Sequence, residues 1–163
     1  MKELRILIAE DLPEDAEMAQ RELKKEGIDF IARVVDDEQD FKKEIINFKP
    51  HLVISDYAMP AFDGMEVLKI TKNVNENIPV IIFTGSMNEE TAVACMKAGA
   101  SDYVIKEQVR RLPFAVREAI KHSKTINERE KFEKQLIESE QNFRDIVYNH
   151  QSVKPIIDPN TMR

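Results

Sequence analysis

Five side chains of this 163-residue chain could meet and do chemistry together: Glu10, Asp11, Asp56, Thr84 and Lys106. Each directly follows a short apolar run. Leu4 to Ala9, interrupted only by Arg5, precedes Glu10-Asp11. Leu52 to Ile54 precedes Ser55 and Asp56, Val80 to Phe83 precedes Thr84, and Ala100 to Ile105, with polar Ser101 and Asp102 inside it, precedes Lys106. Runs of this length read as strands buried on both faces. If the strands are parallel, their carboxyl ends share one edge, where open α/β sheets keep their ligand crevice. Carboxylates gathered there repel one another, by ~4 kcal/mol at about 4 Å and an effective dielectric of about 20. Lys106 supplies one positive charge against three negative ones, so a divalent cation is the natural completion, and hard oxygen ligands suit Mg²⁺. A metal, an ammonium and a hydroxyl aimed at one carboxylate are the equipment of in-line phosphoryl transfer, with Asp56 as nucleophile.

Taken singly, each residue has a plainer account. An aspartate after a strand usually starts a turn. Asp11 with Glu14 makes an N-cap pair for the following helix, and cap and ligand serve equally well for it. Glu10 could simply be exposed, Thr84 before Gly85 fits a turn, and a lone lysine is most often solvated. The joint pattern carries the reading, because four strand ends converging on acid, acid, hydroxyl and amine are far rarer than any one of them.

Positioning these ends requires alternating strands and helices. Pro13 suits the first turn of a helix whose face holds Ala16, Ala19 and Leu23 and which Gly27 stops. A strand over 30–35 follows, then a helix over 37–48 with Phe41, Ile45 and Phe48 on one side, closed by Pro50. Asp63 and Glu66 form a capping-box pattern ahead of Val67, Leu68 and Ile70, and Ser86 with Glu89 offers a cap for a fourth helix ending at Gly99. The chain turns helical again from Val109. Five such repeats predict one doubly wound parallel sheet with right-handed crossovers and helices on both faces.

Composition narrows the alternatives. Hydrophobic residues at 42% and charged residues at 33% fit a globular chain with exposed helices, of a length for one core plus an appendage. The longest apolar runs fall short of a membrane span and the opening residues enter a strand, so no membrane association and a cytoplasmic location are expected. The single cysteine, Cys95, excludes an internal disulfide and predicts a small core side chain in a reducing compartment. A net charge of −6 gives no general attraction to nucleic acid, and the basic stretch Arg110, Arg111, Arg117, Lys121 and Lys124 is interleaved with apolar positions, as a solvated helix face would be.

Over Lys2 to His122 the chain closely resembles the receiver domain of two-component response regulators. The residues that carry the resemblance are Glu10-Asp11, Ser55-Asp-Tyr-Ala-Met-Pro through Asp63-Gly64, Phe83-Thr-Gly, Ala98-Gly-Ala-Ser-Asp-Tyr-Val, and Lys106. The resemblance implies a flavodoxin-like five-stranded sheet of strand order 2-1-3-4-5 with a C-terminal helical extension, in a domain over 1–122. It implies that Asp56 takes a phosphoryl group from the phosphohistidine of a histidine kinase or phosphotransfer protein, so that the chain is a phosphoacceptor and not a turnover enzyme. It assigns Mg²⁺ to Glu10, Asp11, Asp56 and the backbone carbonyl of Ala58, the phosphoryl oxygens to Thr84 and Lys106, and an aromatic switch to Thr84 and Tyr103. The output surface would be the face around helix four, strand five and helix five. Tyr103 read alone is a surface aromatic. Three positions depart from the family pattern: Glu10 stands for the commoner Asp, Glu107 follows Lys106 in place of proline, and Gly85 replaces another small residue. A phosphorylation-independent interaction module and a small metal-dependent phosphohydrolase are the competing functions; the intact set of site residues argues against the first, and the lack of a cap domain or an obvious second acid for substrate turnover against the other.

No glycine or proline occurs between Pro113 and Pro155, and Glu, Lys, Arg and Gln accumulate there, which predicts a long helix. Leu112, Val116, Ala119, Ser123 and Ile126 follow a 4-3-4-3 seam; Phe132, Leu136, Ser139, Phe143 and Ile146 follow another in a different phase, with a break expected over 125–130. A linker over 123–147 forming a parallel homodimeric coiled coil is the preferred account, and a solitary helix folded back on its own domain is the alternative. Glu138 to Val147, with Ile156-Ile-Asp-Pro-Asn, resembles the entry of a PAS sensory domain, whose truncated start would occupy 148–163.

Overall fold

The structure is a computed structural model that describes residues 3–86 and 88–153. Its described part divides into two compact units, with the boundary after Lys124. The first is a five-stranded sheet in the order β2-β1-β3-β4-β5, every pair parallel. The strands are β1 (Leu4–Ala9), β2 (Phe30–Val35), β3 (Leu52–Ser55), β4 (Val80–Thr84) and β5 (Asp102–Ile105). Between them run helices α1 (Pro13–Lys25), α2 (Glu38–Asn47), α3 (Gly64–Val74) and α4 (Glu89–Lys97). A 3₁₀ turn over Lys106–Arg111 leads into α5 (Leu112–Val153).

Two apolar layers sandwich the sheet, and the two-residue period of the strands sorts side chains between them. Ile6 and Ile8, Leu52 and Ile54, Ile81 and Phe83, and Val104 pack with Ala16, Ala19 and Leu23 of α1 and with Leu112, Ala115, Val116 and Ala119 of α5. Leu7, Ala9, Val53, Val80 and Ile82 face the other way, onto Phe41 and Ile45 of α2, Val67 and Leu68 of α3, and Cys95 of α4. Cys95 is a buried free thiol, as expected. Helices on both faces leave the central strands β3 and β4 fully enclosed, which is why their sequences are apolar without alternation, whereas edge strand β2 exposes Ile31, Arg33 and Val34.

Helix ends differ from expectation in two places. The N-cap of α1 is Leu12 and no side chain caps it, so Asp11 and Glu14 do not form the expected pair; Pro13 in the first turn, lacking an N–H to satisfy, lessens the need for one. Helix α4 is capped by Asn88, whose side chain accepts from the Thr91 N–H, and not by Ser86. Asp63 does cap α3 through the Glu66 N–H. Strand five begins at Asp102 and not at Ala100; Ser101 still donates its N–H to the Val80 carbonyl.

The first of the two helical seams belongs to the domain core. Leu112, Val116 and Ala119 are buried against the sheet, and the Ser123 hydroxyl donates to the Asn77 carbonyl. Arg111 pairs with Asp102 and Arg117 donates to the Glu26 carbonyl, while Arg110, Lys121 and Lys124 are exposed. Helical structure continues through 125–130 without the expected break, because no glycine or proline is there to end it. The second unit, as far as it is described, is the remainder of α5, where Phe132, Leu136, Phe143 and Ile146 are each more than half exposed. Residues 154–163, including most of the proposed PAS start, lie outside the described part.

Gly64 shows how closely the acceptor loop is packed. A Cβ on it would lie 3.0 Å from Tyr57 Cα and 3.1 Å from the Asp56 carbonyl oxygen, backbone atoms that cannot turn aside. The Gly64 N–H donates to the Tyr57 carbonyl at 2.8 Å, so α3 begins directly against the loop that carries Asp56. Gly64→Ala is expected to lower stability by about 1–3 kcal/mol in urea unfolding despite the better helix propensity of alanine. An unchanged or raised stability would show that the loop yields.

Candidate functional site

The carboxyl edge of the sheet assembles the expected residues because the ladder continues one step past each strand. The Glu10 N–H donates to the Val35 carbonyl and the Asp56 N–H to the Ala9 carbonyl, each at 2.9 Å, which fixes both acidic residues side by side. Glu10 and Asp56 are buried and Asp11 is half-buried. The three offer carboxylate oxygens that lie within 4.8 Å of one another. Such a set of hard oxygen donors, charged and convergent, fits Mg²⁺.

Lys106 reaches this cluster from the end of β5. Its Nζ stands 2.7 Å from Glu10 Oε1, 3.1 Å from Asp56 Oδ2 and 2.7 Å from Asp15 Oδ2. The Lys106 side chain keeps only 11% of its surface exposed, and its ammonium also lies 5.9 Å from the centre of the Phe83 ring. Three acceptors match the three N–H donors of an ammonium. These contacts hold the Lys106 proton more tightly than usual even though burial works against its charge.

Asp15 was not among the residues expected from sequence. It sits on the first turn of α1, four residues after Asp11, and that spacing was the available signal: a helix beginning at Pro13 carries Asp15 above the strand end that holds Glu10 and Asp11.

Thr84 is buried at the end of β4, and its hydroxyl donates to the Ser86 carbonyl over a long 3.4 Å. Ala58 lies two residues beyond Asp56, and its N–H donates to Asp56 Oδ1 at 3.4 Å. The Ser55 hydroxyl donates to the Asp56 carbonyl at 2.7 Å, bracing the same peptide. Tyr103 is half-buried and leans on the apolar layer that includes Met59 and Ile82, not free at the surface. The peptide bonds of the described residues are all trans, Lys106-Glu107 included.

A parallel sheet of this order, with two acids after β1, an aspartate after β3, a threonine ending β4 and a lysine after β5, has the flavodoxin-like architecture of CheY-like receivers. Residues 6–117 match the family model described as response regulator receiver domain, and the chain belongs to that family. The transcriptional regulatory protein ZraR of Klebsiella oxytoca is 40% identical over 74 residues, covering 45% of this chain and 17% of ZraR. The nitrogen assimilation regulatory protein NtrX of Azorhizobium caulinodans is 35% identical over 103 residues, covering 62% of this chain and 22% of NtrX. Among solved structures, a response regulator receiver domain protein from Clostridium thermocellum superposes with a TM-score of 0.67 at 25% identity, covering 76% of this chain and 98% of that one. NtrX from Brucella abortus gives 0.72 at 26% identity, covering 80% and 30%. The chain thus spans about a fifth of the length of the first two regulators. No helix among the described residues is long and apolar enough to cross a membrane.

Burial pushes the Glu10 carboxyl up to about 7, aided by the negative charge of Asp56; the Lys106 ammonium opposes this without overcoming it, being divided among three carboxylates. A folded-state value above the unfolded one favours the fold fully below pH 4.5, and that contribution is lost as pH rises towards 7. In chelator, wild-type protein should therefore lose stability relative to Glu10→Gln between pH 4.5 and 7, by on the order of 2–3 kcal/mol. Urea unfolding of both proteins across this range checks it; a constant difference would mean that Glu10 stays ionised throughout.

Proposed function

We propose that this chain is a phosphoacceptor switch in which Asp56 takes a phosphoryl group from a phosphohistidine of a histidine kinase or phosphotransfer protein. The observation that carries the reading is the buried Asp56 carboxylate with Lys106 Nζ 3.1 Å from one oxygen and two further acids beside it. In the transfer an Asp56 oxygen attacks phosphorus, the phosphorus–nitrogen bond breaks, and the departing imidazole nitrogen keeps the electron pair and takes a proton. The product is an acyl phosphate. Glu10, Asp11, Asp56 and the Ala58 carbonyl are the residues that would hold Mg²⁺, which when bound supplies positive charge to the phosphoryl oxygens. Lys106 neutralises charge on the same oxygens from the other side. The Thr84 hydroxyl, whose bond to the Ser86 carbonyl is long, turns to the phosphoryl group and leaves room beside β4 for the Tyr103 ring.

The two added charges and three acceptor oxygens of a phosphoryl group are enough to bias such a loop pair. The surface that changes is the face of α4, β5 and the start of α5, working in the cytoplasm without nucleic acid or membrane as partner. Residues 1–122 form the receiver, 123–147 a linker, and 148–163 the start of a PAS domain. ZraR and NtrX are regulatory proteins far longer than this match, which supports a receiver that passes its state to further modules. The exposed Phe132, Leu136, Phe143 and Ile146, at coiled-coil spacing, support a homodimer through the linker.

Incubation with acetyl phosphate and Mg²⁺ should add one phosphoryl equivalent by intact mass; Asp56→Asn and chelated protein should add none. Absence of the adduct in wild-type protein, or its presence in Asp56→Asn, would overturn the assignment. For the linker, light scattering should give a dimer that the double substitution Leu136→Glu, Phe143→Glu converts to a monomer. A wild-type monomer at concentrations of about 100 μM, weaker than a typical specific complex, would remove the dimer.

A further inference from the structure

Of the three carboxylates around the Lys106 ammonium, Asp15 alone stands outside the acidic group that can hold a cation. Glu10 and Asp56 both belong to that group, so a divalent ion bound there would draw on the same two carboxylates that now hold Lys106. The same ion repels the ammonium. Asp15 is anchored separately, on the first turn of α1, whose Ala16 and Ala19 are buried against the sheet. Its oxygen is as close to Nζ as that of Glu10, at 2.7 Å, and it is the most exposed of the three, with 26% of its side-chain surface open.

We propose that Asp15 is a positioning residue that keeps Lys106 pointed at Asp56 when a cation occupies the acidic group. This deepens the phosphoacceptor reading and rests on it for the reaction, though not for the geometry. In the metal-free protein Lys106 has three partners and Asp15 is one among them. In the cation-bound protein Asp15 is the remaining carboxylate that opposes release of the ammonium to solvent, so that Lys106 stays within reach of an incoming phosphoryl oxygen.

Acetylation of individual lysines by N-hydroxysuccinimidyl acetate, followed by peptide mass spectrometry, reads how firmly Lys106 is held, because only an amine released from its carboxylate partners reacts. In Mg²⁺, Asp15→Asn should raise the acetylation rate of Lys106 roughly tenfold, the effect of losing one charged hydrogen bond, while other lysines react at unchanged rates. In chelator the effect should be much smaller, because Glu10 and Asp56 still hold the ammonium. Asp15→Glu should restore most of the protection. An Asp15→Asn protein whose Lys106 reacts no faster in Mg²⁺ than wild type, or as much faster in chelator as in Mg²⁺, would overturn the proposal.

A second readout tests the consequence for the reaction. Phosphorylation by acetyl phosphate at saturating Mg²⁺ should slow in Asp15→Asn and show no further change when Asp15→Asn is added to Lys106→Ala. Equal slowing in both backgrounds would mean that Asp15 acts by another route. Failure of wild-type protein to take phosphate would refute the phosphoacceptor reading alone, since the acetylation measurements stand without it.

Discussion

One ammonium shared by three carboxylates is the contact on which the rest of this structure depends. Lys106 is enclosed with Glu10 and Asp56, and an ionised side chain taken from water alone would cost several kcal/mol. Together they are tolerated because every donor of the ammonium has an acceptor, and because the strands deliver those acceptors to fixed places. The Glu10 and Asp56 peptides are held by hydrogen bonds to Val35 and Ala9, one residue beyond the strands proper. A slip of one residue in either pairing would turn the carboxylate into an apolar layer, so the buried faces of the sheet also enforce the register of the site.

The arrangement is satisfied but not neutral. Three carboxylates face one ammonium, Asp11 adds a fourth negative group nearby, and the protein answers by holding a proton on Glu10 up to about 7. A site in this condition is poised to accept positive charge, and then negative charge on the far side of it. The same side chains can therefore serve two occupancies, provided that Lys106 exchanges partners and does not leave. An apolar substitute for the cluster would pack as well and remove this capacity.

Much of this could be read from residue order because parallel strands enclosed on both faces leave apolar runs with sharp polar ends. Those ends named Glu10, Asp11, Asp56, Thr84 and Lys106; the first three and Lys106 meet, and Thr84 ends β4, the strand between those of Asp56 and Lys106. What periodicity could not settle was ownership of an apolar stripe. Leu112, Val116 and Ala119 have the spacing of a coiled coil, yet they pack on the sheet, since the pattern records that a face is covered and not what covers it. Capping was misjudged for a related reason: Asp11 and Ser86 have the right chemistry, but the hydrogen bonds that decide depend on where the helix starts, at Pro13 and at Glu89. Asp15 carries no such mark, because it lies inside the first turn of α1 and follows no apolar run.

The strand order also explains why the cation at this edge is a lysine. Strand β5 is not a neighbour of β3; β4 lies between them, so the backbone of Lys106 starts two strand spacings, roughly 10 Å, from that of Asp56. A short side chain there could not reach the acceptor. The flexible four-carbon stem of lysine does, and it carries its charge over the ring of Phe83, a residue of β4. Its small ammonium also turns one donor to each of three carboxylates, whereas the donors of a guanidinium are fixed in a planar fork. Reach, slenderness and three separate donors are thus demanded together by the topology, and lysine is the side chain that meets all three.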